Sequence, residues 1–420
     1  MLGIISILIS SFVTAILYFL SKIDNPRNIE GIFLLVQVTG LGASVLMSWN
    51  FILATRLKII ERLFGGLDKV YKIHNLLGNF AFILAINHPI FLLISSLPYN
   101  SSKLYLVPSL ANIPYALGII SLYLLIIFVS LTIFMDLPYK LWKKTHEYMG
   151  LVIILASLHS ILVTSDISFY LPLRIWMIFI NAVAIICYLY KRFAYYLFMP
   201  KNNYSIINIT QEKDYLMLDL LANDPNKIIN FDAGQFAFIS LNNDKRDEHP
   251  FSILDQVDGK LKLGTKIVGP FTISLANLRK GEHLNVFGPF GSFSESLSKA
   301  KKIVFISGGI GITPFYSMLK SVSSDQEVVM IHSSRTNEST LFTNLFIEYQ
   351  KTHTNFKFVI HNSDTDGHLN NQLINKYCSL NPENYVYICG PKKMMEDVSM
   401  DLTDNGLLQK RIIYEDFTFK

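Results

Sequence analysis

Charge is scarce in this chain of 420 residues: Asp, Glu, Lys and Arg make up 16%, against 51% apolar residues. A soluble protein carries about 25% charge, so a wholly soluble molecule is excluded. Cysteine is nearly absent, and Cys187, Cys378 and Cys389 show no CxxC spacing. That excludes a disulfide framework and a cysteine-rich zinc site. No basic tract stands out, and the net charge is only +5, so nucleic acid is not an expected partner. There is no EF-hand pattern, proline-rich tail or long regulatory insertion, so no calcium dependence and no obligatory protein subunit are expected. Histidine is scarce too: before His249 there are only His74, His88, His146 and His159.

What is present divides sharply. Residues 1–200 are mostly apolar, and residues 201–420 read as an ordinary soluble sequence. Six stretches in the first half approach the roughly 20 residues that a bilayer core requires. They run over 2–20, 31–53, 73–96, 112–135, 147–165 and 170–198. The first lacks a basic start and a small-residue cleavage site, so it reads as a retained helix and not as a signal peptide. Arg56, Lys58, Arg62, Lys69 and Lys72 follow the second span, Lys140, Lys143 and Lys144 follow the fourth, and Lys191 and Arg192 end the sixth. The opposite side holds only Lys22, Arg27, Lys103 and Arg174. The positive-inside bias then puts both termini and residues 201–420 in the cytoplasm of a multi-pass plasma-membrane protein.

The four histidines form two pairs on the third and fifth spans, 14 and 13 residues apart. Ionisable side chains at membrane depth are costly and mark function, and neutral imidazole is an axial ligand of haem iron. Both spans run outward, so His74 and His146 lie near the inner face and His88 and His159 near the outer. Each pair is separated by roughly 20 Å along its helix. The expectation is two stacked haems b, ligated across helices by His74 with His146 and by His88 with His159. One detail resists. Fourteen residues return a side chain to within about 40° of its starting azimuth, whereas thirteen leave it roughly 140° away. Either the fifth span has an irregular turn, a π-bulge near Gly150 being one solution, or its two histidines approach from different sides.

In the second half, YSIINIT, DYLMLDLL, QFAFISL and LKLGTKIV alternate between strand and turn patterns, suggesting a small antiparallel barrel. KKIVFISGG, EVVMIHSS, FKFVIHN and NYVYICG read as buried strands separated by helices, the pattern of a parallel sheet. The turn Ser307-Gly308-Gly309-Ile310-Gly311-Ile312-Thr313-Pro314 follows the first of these strands and opens a helix. Glycines there let backbone amides approach a pyrophosphate. Three domains follow: residues 1–200, a transmembrane helix bundle; 201–298, a small antiparallel barrel; and 299–420, a Rossmann-like domain.

His249-Pro250-Phe251-Ser252, then Lys266 with Gly269-Pro270-Phe271-Thr272, Gly288-Pro289-Phe290-Gly291, the GGIGITP turn and Cys389-Gly390-Pro391 occur in that order. The second half resembles the ferredoxin–NADP reductase superfamily. Joined to six helices with four such histidines, the chain resembles the NADPH oxidase and ferric reductase family, as a prokaryotic NADPH oxidase homologue. The fold class implied is α plus α/β.

The resemblance implies residue roles. His249, Pro250, Phe251 and Ser252 are expected to bind FAD, with Ser252 beside the ring nitrogen that receives hydride. Lys266, Gly269, Phe271 and Thr272 are expected along the FAD pyrophosphate. Gly308, Gly309, Gly311, Thr313 and Pro314 are expected to hold the dinucleotide phosphates, and Cys389, Gly390 and Pro391 to edge the nicotinamide pocket. Ser334 and Arg335 are expected at the 2′-phosphate of NADPH, because arginine's fork matches phosphate; NADH remains an option. Phe417 is expected to stack on the flavin, with Phe419 as runner-up. Ser252, Cys389 and Phe417 are the expected catalytic group.

The function so implied is outward electron transfer from cytoplasmic NADPH through FAD and two haems to O2, giving superoxide. The nearest alternative is a ferric or other metal-chelate reductase using the same path. Some animal oxidases of the family place a histidine four residues after the outer ligand of the third span, where this chain has Leu92. A transporter with a nucleotide-sensing domain is a rival of another class, but it leaves the histidine pairs unexplained.

Overall fold

The computed structural model describes residues 2–24, 31–97, 105–198, 202–241, 247–336 and 338–415. It divides into two units, Met1–Phe198 and Met199–Lys420.

The first unit is helical. Its helices are α1 (Leu2–Asp24), α2 (Ile32–Leu53), α3 (Lys58–Phe64), α4 (Leu67–Ser96), α5 (Ile113–Phe134), α6 (Tyr139–Glu147), α7 (Met149–Leu162), α8 (Asp166–Phe169), α9 (Leu171–Leu189) and α10 (Tyr195–Phe198). Among the described residues, six stretches are long and apolar enough to cross a bilayer: α1, α2, α4, Leu110–Phe134, Tyr139–Leu162 and Leu171–Ala194. This is a multi-pass membrane protein. The helices face outward with Phe12, Phe19, Phe80, Ile127, Phe179 and similar apolar side chains, as lipid contact requires. Polar groups point inward and join helices, since hydrocarbon offers them no other partner. Ser44 and Ser157 both donate to Asn181 Oδ1, at 3.2 and 3.0 Å. The indoles of Trp49 and Trp176 donate to Ser10 and Thr14 on α1, at 2.6 and 2.8 Å.

The largest departures from the expected span boundaries are in the third and fifth spans. The third span begins at Leu67, six residues early. The fifth starts at Tyr139 and is interrupted at Tyr148. The interruption is a tightened turn and not a π-bulge. Tyr148 N–H bonds Thr145 O at 3.2 Å, and Leu151 N–H bonds Tyr148 O at 2.9 Å, both three residues back. A turn of that kind advances about 120° per residue instead of about 100°. It therefore adds rotation in the direction that the 13-residue spacing lacks. Gly150 serves packing: a Cβ there would fall 2.0 Å from the Tyr188 ring of α9. The π-helical segment lies elsewhere, at Tyr190–Ala194.

The second unit opens with a closed antiparallel barrel. Its strands are β1 (Asn202–Glu212), β2 (Tyr215–Ala222), β3 (Phe236–Leu241), β4 (His249–Val257), β5 (Lys260–Lys266) and β6 (His283–Phe290), in the order β1-β2-β5-β4-β3-β6. Helix α11 (Pro270–Ala276) follows β5. Leu216, Leu218, Ala237, Ile239, Phe251, Ile253, Leu261 and Leu263 fill the interior, the period-two face that alternation predicts. Next comes a five-stranded sheet of β7 (Lys302–Gly308), β8 (Glu327–Ser334), β9 (Phe356–Asn362), β10 (Tyr385–Cys389) and β11 (Ile412–Tyr414). Its order is β11-β10-β7-β8-β9 and every pairing is parallel. Helices α12 (Thr313–Lys320), α13 (Thr343–Thr352), α14 (Asn371–Tyr377) and α15 (Lys392–Asp404) connect the strands. One core joins barrel to sheet: Tyr215 and Leu254 pack with Phe305, Phe315, Phe346 and Tyr387.

His332 of β8 is buried in that sheet beside Ser307, its Nδ1 2.8 Å from the hydroxyl. Burial holds its pKa down from 6.5 to about 4. Between those values the unfolded chain binds a proton that the folded one refuses, so stability falls as pH falls through that window. His332→Asn keeps a short acceptor and removes the titration. The variant should lose less unfolding temperature than wild type between pH 7 and pH 5, measured by scanning fluorimetry.

Candidate functional site

Helix α4 carries His74 and His88; α6 carries His146 and α7 carries His159. The structure brings them together in the expected pairs. The ring centres of His74 and His146 are 6.1 Å apart, and those of His88 and His159 are 6.4 Å apart. Two imidazoles bonded at about 2 Å to opposite sides of one metal hold their ring centres about 6 Å apart. Each pair therefore leaves room for one metal ion.

The ring nitrogens are sorted by their neighbours. Nδ1 of His74, His88 and His159 lies 3.1, 2.7 and 2.8 Å from the carbonyls of Asn50, Val36 and Pro114. A carbonyl only accepts, so Nδ1 carries the proton and Nε2 keeps its lone pair for a metal. His146 differs: its Nδ1 is buried without a partner. Its ring stacks on Trp142, with centroids 5.5 Å apart and planes 16° apart.

Glycines make room for the outer rings. A Cβ on Gly40 would lie 2.9 Å from His88 Nδ1, and one on Gly118 would lie 2.7 Å from His159 Nδ1. Each glycine stands four residues after the carbonyl that the same ring uses, so the imidazole sits in a bare groove of the neighbouring helix. Among the described residues no group of three or more His, Cys, Asp and Glu could hold a metal ion. Two protein ligands per site fall short of zinc's four. They suit a metal whose other positions a macrocycle fills. On this donor chemistry the pairs fit haem.

Of the cationic residues near the inner pair, Arg192 bonds Glu147 at 2.5 Å, directly after His146. Lys191 lies 3.3 Å from the centre of the Tyr195 ring.

In the second unit, the His249 ring stacks on Phe271 at 4.0 Å and bonds Asp247 through Nε2 at 3.0 Å. This joins the first and second expected flavin motifs. Phe251 turns into the barrel core beside Phe271, and Ser252 pairs in register with Phe236. Lys266 is held by Asp214 at 3.0 Å. Thr272 caps its own helix, accepting from the amides of Val268 and Gly269 at 3.0 and 3.1 Å. A Cβ on Gly269 would meet nothing within 4 Å, so the entry to α11 is open to a ligand. Phe417 and Phe419 lie outside the described residues.

The nucleotide motifs converge at the carboxyl ends of the parallel strands, where ligands of such sheets bind. Ser307 pairs with Cys389 in register, so two motifs distant in sequence become neighbours. A Cβ on Gly311 would lie 2.3 Å from Cys389 O and 2.7 Å from Gly390 N; one on Gly308 would lie 3.0 Å from Pro391. Gly309 takes φ +54, a conformation glycine adopts at no steric cost. Thr313 Oγ1 donates to Ile310 O at 2.9 Å, and Pro314 begins α12. Ser334 ends β8, followed by an exposed Arg335. Glu338, unforeseen from sequence, accepts from the Arg335 amide at 3.2 Å and from the Tyr215 hydroxyl. Burial and then this carboxylate push the Tyr215 phenol well above its ordinary pKa, so it stays a donor.

Asn50, Gly40 and Gly118 were also unforeseen. The glycines have a local signal, a gap in an otherwise bulky apolar helix. Asn50 has one in being a lone amide near the end of a span.

Helices, histidine pairs and nucleotide edge together define a multi-pass membrane oxidoreductase. Residues 39–157 match the family model "Ferric reductase like transmembrane component", and residues 305–400 match "Oxidoreductase NAD-binding domain". The chain thus joins a ferric-reductase-like transmembrane component to an oxidoreductase NAD-binding domain. It is 30% identical over 149 residues to flavohemoprotein A of Dictyostelium discoideum, covering 34% of this chain and 37% of that one. It is 28% identical over 157 residues to a component of the Na(+)-translocating NADH-quinone reductase of Pseudomonas aeruginosa, covering 34% and 38%. The chain thus spans little more than a third of these relatives. The FAD- and heme-bound flavohemoglobin of Malassezia yamatoensis superposes with TM-score 0.50 at 19% identity, over 77% of this chain and 92% of that one. This last likeness concerns fold alone.

The groove geometry generates a prediction. Gly118→Val should displace His159 and, where the pairs hold haem, lower the b-type haem bound per chain in a pyridine hemochrome assay. An unchanged ratio counts against the groove's role.

Proposed function

We propose that this protein carries electrons across the bilayer, from a cytoplasmic nicotinamide dinucleotide to an acceptor on the far side. The observation that carries the reading is the pair of facing imidazole pairs on α4 with α6 and α7, at centroid separations of 6.1 and 6.4 Å. His74 and His146 hold the inner haem; His88 and His159 hold the outer one. Bound FAD and haem supply the two-electron and one-electron chemistry that the side chains lack.

The protein's own part is placement. Gly308, Gly309 and Gly311 keep the strand ends bare of side chains so that backbone amides reach the dinucleotide phosphates. Ser334 and Arg335 grip a 2′-phosphate, favouring NADPH over NADH. Cys389, Gly390 and Pro391 wall the nicotinamide side. Ser252 offers a hydroxyl to the flavin ring, and His249 with Phe271 forms a stacked wall beside it. A haem bound there would have both histidines of a pair as its protein ligands, which would leave O2 no free position on the iron. The loop cations of the helical half set the orientation, with both termini inside.

Reduction of O2 to superoxide is the favoured outcome. Reduction of a ferric chelate is the second reading, favoured by Leu92 on α4 and by the ferric-reductase-like match over 39–157. In vesicles supplied with NADPH and FAD, superoxide dismutase-sensitive cytochrome c reduction should exceed ferric-chelate reduction; the reverse ranking assigns the metal reaction. His74→Ala and His88→Ala should each abolish both while flavin-only diaphorase activity persists. A preparation with no b-type haem would falsify the whole reading.

A further inference from the structure

We infer that Asn50 is a positioning residue of the inner haem site, locking the backbone and the ring of His74 at once. The inference rests on the reading of His74 as a ligand.

Asn50 lies in the last turn of α2 and is 6% exposed. An amide buried in an apolar bundle needs partners, and its partners lie on α4. With its nitrogen turned toward α4, the side chain donates to His74 O at 2.8 Å and accepts from Gly78 N–H at 3.0 Å. Those two groups are the ends of one helical rung, a carbonyl and the amide four residues later. One side chain therefore bridges the rung that begins at His74. The backbone carbonyl of Asn50 also receives the proton of His74 Nδ1 at 3.1 Å, while accepting from Ala54 N–H at 3.1 Å.

Three polar contacts from one residue thus set the height of His74, the rotation of its helix and the nitrogen that carries the proton. His88 and His159 have no such arrangement among the described residues; each uses a backbone carbonyl beside a glycine. Across the inner site, His146 lacks an Nδ1 hydrogen-bond partner among the described residues and its ring stacks on Trp142, so the hydrogen bonds that orient the inner pair are those of Asn50 to His74.

The test is a potentiometric titration with low-temperature EPR on purified full-length protein. Wild type should show two b-type components. Asn50→Leu should shift or remove one component and leave the other in place. Asn181→Leu is the control: Asn181 is 1% exposed, and its side chain bonds Ser44, Ser157 and Met177 O. It should lower thermal stability while moving neither component. If Asn50→Leu does not accumulate, the isosteric Asn50→Asp should give the same one-component change. Two unmoved components in the Asn50 variant overturn the inference, as does the same change in Asn181→Leu. Absence of haem from wild type overturns the ligand reading instead, a different result.

Discussion

A neutral imidazole inside an apolar helix bundle has two nitrogens, and each must find something to do. Three of the four histidines spend the Nδ1 proton on a carbonyl of a neighbouring helix. This directs the bare nitrogen across the gap toward the opposing ring. The rest of the helical unit serves that demand. Helix α2 lies along α4 and α5 along α7, which brings the carbonyls of Val36, Asn50 and Pro114 to the rings. Gly40 and Gly118 remove the side chains that would hold the rings off. The serines and asparagine between α2, α7 and α9 pin the helices with bonds for which lipid offers no competitor.

The second unit solves a different problem, bringing backbone close to a charged ligand. Parallel strands put the GGIGITP turn and Cys389-Gly390-Pro391 at one edge because β7 and β10 are direct neighbours. Gly311 allows the two turns to touch, since any side chain there would strike Cys389 O. The barrel packs on the same sheet through Leu254 and Tyr215, and Lys320 bonds Asp255 at 2.7 Å. Glu338 joins the barrel's Tyr215 to the loop after β8.

Much of this was legible residue by residue. The spans could be read because hydrocarbon demands long apolar runs. The histidine pairs could be read because nothing else explains four imidazoles at matched depths. The barrel and the parallel sheet could be read because alternation and buried runs differ in period. The 13-residue spacing correctly announced an irregular turn, but its nature was misjudged. The structure uses a tightened turn at Tyr148, with Gly150 packed against Tyr188 of α9. The flavin motifs were assigned as a block, whereas alternation along β4 sends Phe251 inward and leaves Ser252 on the other face.

The sequence by itself determined the elements, the division near residue 200 and the chemistry available, because these depend on hydropathy and on which side chains exist. Tertiary structure alone decided which carbonyls His74, His88 and His159 meet, that Asn50 and two glycines adjoin the paired rings, and that Glu338 lies in the loop after β8 against Tyr215. These are contacts between segments far apart in the chain. Their partners are backbone atoms or absent side chains, which every residue shares and no local pattern marks.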